Sequence, residues 1–188
     1  CHKPDLSGEY GPQLAGNRFR TVWDAATLYE LFPKIVKTMP KNTAHLPADA
    51  VPDVIAYILS QNGFPAGNRN LSAEATTLGR IRILGQNGPM PAEVGQLVRA
   101  IGCLTPGPSN AWQLTNAGPP ERSRSSEPSS GAEIGGLAAR SLGNRAIRLL
   151  SVDPDAQEDK GQKVEVKGLL GEDSIIVTSL QRIAQSCQ

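Results

Sequence analysis

Cys1 and His2 are the residues of this chain best suited to carry chemistry, because a thiol and an imidazole stand side by side. A thiolate can bond a cofactor covalently, and the adjacent imidazole can then reach a metal that this cofactor holds. Cys-His also forms the end of Cys-x-x-Cys-His, the attachment signal for a covalently bound haem. The dipeptide alone is a weak signal, and chance is the alternative interpretation.

Three later segments strengthen the signal. They are Gly11–Gly16 (Gly-Pro-Gln-Leu-Ala-Gly), Thr38-Met39-Pro40, and a helix that contains Asp53–Leu59. In this order and spacing the set resembles bacterial class I cytochromes c over residues 1–65. The resemblance implies an all-α domain that holds one haem c and transfers electrons through its iron.

The resemblance assigns roles to five residues. It implies that Cys1 forms a thioether to the haem and that His2 and Met39 are the two axial ligands of the iron. The backbone carbonyl of Pro12 matches the acceptor that orients the proximal imidazole, a contact that also tunes the metal. Trp23 matches a ring that lies near a haem propionate in many relatives. A Met ligand favours reduced iron and raises the reduction potential.

Other interpretations of these residues stay open. Met39 could be a core residue that fills a gap. His45, the only other histidine, could form a bis-histidine site, although its polar surroundings favour a solvated side chain. Met90, the only other methionine, lies in a Pro- and Gly-rich stretch outside the family pattern and is a poor ligand candidate.

The chain also departs from the family. The first cysteine of the attachment signal and the helix that normally precedes it are absent, which predicts that the apolar stripe from Val51 to Leu59 lacks its usual partner. Three interpretations remain: the chain lacks its natural N-terminus, the haem has a single thioether, or Cys1 is the acylated residue of a lipoprotein.

Hydrophobic periodicity predicts two helices in the first third. One covers residues 24–32, with Asp24 as its cap, and a stronger one covers residues 48–62 and ends at Gly63. Seven of the eight aromatic residues also lie in this third, as expected for a small domain that is well packed or wrapped around a large flat group. The predicted domains are a cytochrome c domain at 1–66 and a linker at 67–93.

From about residue 94 the pattern becomes alternating, which is typical of β-strands. Five strands are predicted: Leu97–Leu104, Trp112–Thr115, Ala146–Val152, Lys163–Leu170 and Ser174–Leu180. The series loosely resembles an OB-like β-barrel of secreted bacterial proteins. The predicted fold class is therefore an all-α class I cytochrome c, lacking its N-terminal helix, followed by a small all-β five-stranded barrel at 94–188.

Two further expectations concern this second part. Residues 118–143 are rich in Ser, Gly, Pro and Arg, so they are predicted to form a mobile loop, at least over 121–130. Cys103 and Cys187 form a candidate disulfide pair if Cys1 serves another purpose. An exported haem protein would meet the oxidising compartment that such a bond needs.

Composition excludes several function classes. The net charge is +1 and the sequence has no basic block, so no nucleic-acid partner is expected; Trp112 is the only ring of the second part. The arginines near the predicted loop are interpreted as solvated. No apolar run approaches the roughly 20 residues of a membrane-spanning helix. No nicotinamide, flavin or hydrolase motif is present, so no independent catalytic site is expected.

The sequence therefore predicts an electron carrier, or an electron-transfer subunit of a larger exported redox assembly, in the periplasm or at the cell surface. Its partners would be redox proteins such as a dehydrogenase or a membrane-bound complex. Membrane association would require such a partner or a missing N-terminal anchor. The alternative is a binding or docking module whose barrel recognises a protein, glycan or nucleic acid, with an accessory haem domain.

Overall fold

The computed structural model describes residues 1–41 and 46–187. It divides into two compact units, Cys1–Gly88 and Pro89–Gln188. Most of the segment predicted as a linker, residues 67–93, belongs to the first unit. Leu78 and Ile83 from this segment are buried in the hydrophobic core of that unit.

The described residues of the first unit form four α-helices: α1 (Asn17–Trp23), α2 (Leu28–Thr38), α3 (Val51–Gln61) and α4 (Ala75–Arg80). Helix α2 begins later than predicted because Thr27, not Asp24, is its N-cap. The carboxylate of Glu30 accepts a hydrogen bond from the backbone N–H of Thr27 at 2.7 Å. This capping box fixes the first turn of the helix.

Helix α3 matches its prediction closely, and its apolar stripe is not left without a partner. Val51, Ile55 and Ile58 are buried in one core cluster that also contains Phe19 and Leu28. Helix α3 also contacts α2 directly. The expectation that the stripe lacks a partner is therefore wrong, because other residues of this unit cover it.

The second unit contains six strands, one α-helix and two 3-10 turns, at Pro108–Asn110 and Pro154–Asp159. The strands are β1 (Leu97–Pro106), β2 (Trp112–Ala117), β3 (Glu121–Arg122), β4 (Arg145–Leu150), β5 (Lys163–Leu170) and β6 (Ser174–Ala184), and the helix is α5 (Gly131–Ala138). The sheet order is β2-β4-β6-β5-β1-β3, with an additional pairing between β2 and β1. The β4–β6 pair is parallel and the other pairs are antiparallel.

The predicted fold class is wrong. The chain is mixed α/β, with a six-stranded sheet, and not an all-α cytochrome followed by an all-β five-stranded barrel. The segment 118–143, predicted as a mobile loop, contains strand β3, which was not predicted, and helix α5. Its Ser130 and Glu133 form a capping box that starts the helix.

A network of charged residues holds this segment over β5. Glu165, which is 1% exposed, accepts hydrogen bonds from the backbone N–H and the hydroxyl of Ser129, at 3.2 and 2.8 Å. Arg99 on β1 lies 3.7 Å from the same carboxylate. Lys163 and Lys167 donate to backbone carbonyls within 127–140. Polar bonds therefore hold this segment together with the apolar contacts that Leu137 makes with Ile101 and Ile183.

The expected pairing of the two distant cysteines is confirmed. Cys103 on β1 and Cys187 near the C-terminus form a disulfide across a sequence separation of 84 residues. Cys103 is buried. The bond therefore fastens the end of the chain to a strand inside the second unit.

Candidate functional site

The N-terminal loop, residues 1–16, is built by backbone hydrogen bonds that fold it back on its own start. Gly8 donates to the carbonyl of His2 at 3.0 Å, and Gly11 donates to the carbonyl of Cys1 at 2.9 Å. Gly8 has a φ of +83°, a conformation that glycine adopts without strain. The loop thereby brings Gly11 and Pro12 beside the first two residues.

His2 is joined directly to Pro12. Its Nδ1 lies 2.7 Å from the Pro12 carbonyl oxygen. Since a carbonyl oxygen can only accept, Nδ1 carries the proton of this bond. In the neutral imidazole, Nε2 then keeps its lone pair and is the nitrogen suited to bind a metal.

Gly11 forms the wall on which this imidazole lies. A Cβ at position 11 would stand 2.6 Å from Cε1 of His2 and 2.8 Å from Nδ1. Real Cβ atoms do not approach other atoms so closely, so the ring position requires glycine here. The backbone of Gly11 and Pro12 thus sets both the place and the orientation of the His2 ring.

Asn62 anchors the end of the N-terminal loop, and sequence reasoning missed it. Its side-chain amide donates to the carbonyls of Leu14 and Ile58, both at 2.8 Å, and its oxygen accepts from Gly16 N–H at 2.9 Å. The residue is 4% exposed. The available signal was its spacing, because it continues the buried face of α3 four residues after Ile58.

Met39 and Trp23 are placed by packing. Met39 is the C-cap residue of α2 and Trp23 ends α1; both are half-buried against the core of the first unit. Leu14, two residues after Pro12, packs against the same core. Cys1 is exposed and its thiol is free. His45, the alternative ligand, lies outside the described residues.

Asp5 gives the loop a defined local charge. Its carboxylate accepts hydrogen bonds from the backbone N–H of Ser7 at 3.1 Å and from the Ser7 hydroxyl at 2.8 Å. These bonds favour the ionised form and hold the pKa of Asp5 below its ordinary value of 3.8. The turn after His2 therefore keeps its negative charge into the acid range.

The first unit contains His2 and Met39, two residue types that can hold a haem iron. Among the described residues, no group of three or more His, Cys, Asp or Glu is placed to hold a metal ion. A haem iron needs at most two axial ligands from the protein, and His with Met is one of the established pairs. The structure orients the imidazole of His2 through Pro12 and leaves the thiol of Cys1 exposed.

Comparison of the chain with protein-family models, with curated proteins and with solved structures finds no match. In the part of the chain that the structure describes, no helix is both long enough and apolar enough to cross a lipid bilayer.

Proposed function

We propose that the first unit transfers electrons through one haem c that is attached at Cys1 and ligated by His2 and Met39. The observation that carries this proposal is the 2.7 Å bond between His2 Nδ1 and the Pro12 carbonyl. Such a bond fixes the tautomer and the ring plane and makes Nε2 a stronger ligand. It is the arrangement that an axial histidine needs.

The proposed function assigns a separate role to the haem and to each residue that would hold it. The bound haem would supply the one-electron chemistry, cycling its iron between the ferrous and ferric states. His2 and Met39 would together hold its iron, so no position at the iron would be left for a substrate. Met39 would favour the reduced state, and Cys1 would keep the group attached. The chain therefore serves as a carrier or an electron-transfer subunit without a catalytic site of its own.

The setting proposed for this function is an exported one. The disulfide between Cys103 and Cys187 supports an oxidising compartment such as the periplasm or the cell surface. The partners proposed are redox proteins, for example a dehydrogenase or a membrane-bound complex, and not nucleic acids. The net charge of +1 supports the last point.

The first experiment is a reduced-minus-oxidised spectrum of the full chain in alkaline pyridine, together with its intact mass. A covalent haem signal and an added mass equal to one haem are expected. A band displaced toward that of free haem would indicate a single thioether at Cys1. Absence of haem, or haem that extracts freely, would overturn the proposal.

A second experiment tests the ligands with a matched pair of variants. Met39→Ala is expected to lower the reduction potential by on the order of 100 mV, because the potential depends strongly on the axial ligand. Met90→Ala removes the chain's other thioether and is expected to leave the potential unchanged. Equal potentials in the two variants would exclude Met39 as a ligand.

A further inference from the structure

One edge of strand β6 is only partly covered. The parallel pairing of β4 with β6 joins Arg148–Leu150 to Ser174–Ile176 and then stops. Ser151 follows with a φ of +59°, a left-handed conformation that ends β4 and turns the chain away. Beyond this point β6 continues to Ala184, and in the described pairings only β5 accompanies it. The opposite edge of Val177–Arg182 therefore has no partner strand among the described residues.

A groove of about 1000 Å³ follows this edge. All six residues of Val177–Arg182 line it in succession, and residues 151–153 face them. Side chains alternate between the faces of a sheet, so six consecutive lining residues mean that the groove runs along the strand edge. At roughly 3.3 Å per residue it is about 20 Å long, enough for an extended segment of six residues.

The edge offers hydrogen bonds to such a segment. An uncovered strand edge presents backbone N–H and C=O groups that can pair with another extended chain.

The charge of the groove selects the kind of segment. Four carboxylates line it and only one guanidinium does so among the described residues: Glu127, Asp153, Glu158 and Asp159 against Arg182. Arg182 and Asp159 lie 3.6 Å apart and offset each other's charge, and Arg182 also donates to the side chain of Gln162 at 3.2 Å. The carboxylates of the groove still outnumber its guanidinium by three. The groove therefore favours positively charged side chains.

We propose that this groove binds an extended peptide segment of another protein, with lysine or arginine at alternate positions. The segment pairs through its backbone with Val177–Arg182 as an additional strand. Its basic side chains meet the carboxylates that line the groove. This docking function belongs to the second unit and does not depend on the haem proposed for the first.

The test uses the full chain and a capped octapeptide of alternating lysine and valine. This probe is expected to bind and to slow hydrogen exchange at amides within residues 177–182. The same peptide methylated at its backbone nitrogens keeps the charge but loses the donors, and it is expected not to bind. A glutamate–valine peptide keeps the donors but reverses the charge, and it is also expected not to bind.

Paired variants separate this groove from general electrostatics. The double variant Glu127→Gln/Glu158→Gln is expected to bind the lysine–valine peptide about fivefold more weakly, since each exposed pair contributes modestly. Glu172→Gln, an exposed change outside the groove, is expected to leave binding unchanged. No binding, equal binding of the methylated or acidic peptide, or equal loss in both variants would overturn the proposal. Self-association of the chain that the peptide cannot reverse would assign the groove to a second copy and would also overturn it.

Discussion

Gly11 lies directly against the imidazole of His2, so close that a Cβ at position 11 would stand 2.6 Å from Cε1. The same segment supplies the Pro12 carbonyl that receives the Nδ1 proton. One dipeptide therefore fixes both the position of the ring and its tautomer. The other ring nitrogen, Nε2, is thereby left available to bind a metal, and the backbone of residues 11 and 12 sets its position.

Replacing Gly11 by alanine is expected to displace the His2 ring. Because the Cβ would meet only the end of the His2 side chain, which can swing aside, the expected effect is loss of the bond to Pro12 with little change in the free energy of unfolding. The imidazole chemical shifts of His2, measured by NMR in the full chain, report this displacement. Gly67→Ala is the matched control, because a Cβ there meets nothing within 4 Å. His2 shifts that are the same in both variants as in the parent chain would contradict the contact.

Asn62→Ala is expected to cost about 2–4 kcal/mol of unfolding free energy, because it removes a buried bond to Ile58 and half-buried bonds to Leu14 and Gly16. The N-terminal loop should also show faster amide hydrogen exchange, since this side chain fastens its end. Asn68→Ala, at an exposed position, is the control. A loss no greater than that of the control would show that the loop does not depend on Asn62.

Glu165→Ala is expected to be among the most destabilising single changes in the second unit. It leaves the buried Arg99 without its carboxylate and removes two bonds to Ser129, so a loss of about 3–5 kcal/mol follows. Trypsin should then cleave faster after Arg124, in the segment that Ser129 fastens. Glu172→Ala changes an exposed carboxylate and should alter neither the stability nor the cleavage rate. An unchanged cleavage rate in Glu165→Ala would show that Glu165 does not hold this segment in place.

Asp5 should titrate with a midpoint below 3.8 in the folded chain. Above pH 3.8 the carboxylate is ionised in both the folded and unfolded states, and its bonds to Ser7 contribute their full stabilisation. As the pH falls through the lowered native pKa, the folded state takes up the proton and that contribution is lost. A carboxyl chemical-shift titration by NMR measures the midpoint.

Ser7→Ala supplies the matched comparison for this titration. It removes the hydroxyl bond, which is the largest cause of the lowered pKa, and keeps the backbone N–H. The midpoint of Asp5 should therefore rise toward 3.8 without fully reaching it. A midpoint that is the same in both proteins would show that the hydroxyl bond does not stabilise the ionised form.

The sequence predicted where the strands of the second unit lie, but it did not predict that their charged side chains are buried. Lys163–Leu170 was predicted with the bounds of β5, since apolar and charged residues alternate there. Alternation normally means that one face is solvated, yet Lys163, Glu165 and Lys167 are all buried. The difference arises because residues from 121 to 140 cover the charged face, and local periodicity carries no information on such long-range covering.

The missed elements have weak local signals. Helix α5 contains three glycines in eight residues, which lowers its helix propensity, and its capping box was the sequence evidence that could have revealed it. Strand β3 has two residues, too few for any periodicity. The predicted start of helix α2 lies four residues before the observed one, because Asp24 resembles a helix cap. The capping box of Thr27 and Glu30 marks the true start.

For the candidate site, the sequence indicated the residue types but could not supply contacts. The structure places His2 on Pro12 and sets Trp23 and Met39 against one core. The site depends on Gly11 because the backbone there lies against the His2 ring. It depends on Asn62 because this residue, at the end of α3, is hydrogen-bonded to the N-terminal loop. Such dependence becomes visible only in three dimensions.

The disulfide between Cys103 and Cys187 also determines how the second unit bears mechanical load. Tension applied at the C-terminus passes from Cys187 across the sulfur atoms into β1, and bypasses the intervening chain. Strands β2 to β6 lie between the two cysteines in the sequence and therefore off the line of force. Force applied at Cys187 would load strand β1, while the groove beside β6 keeps its shape.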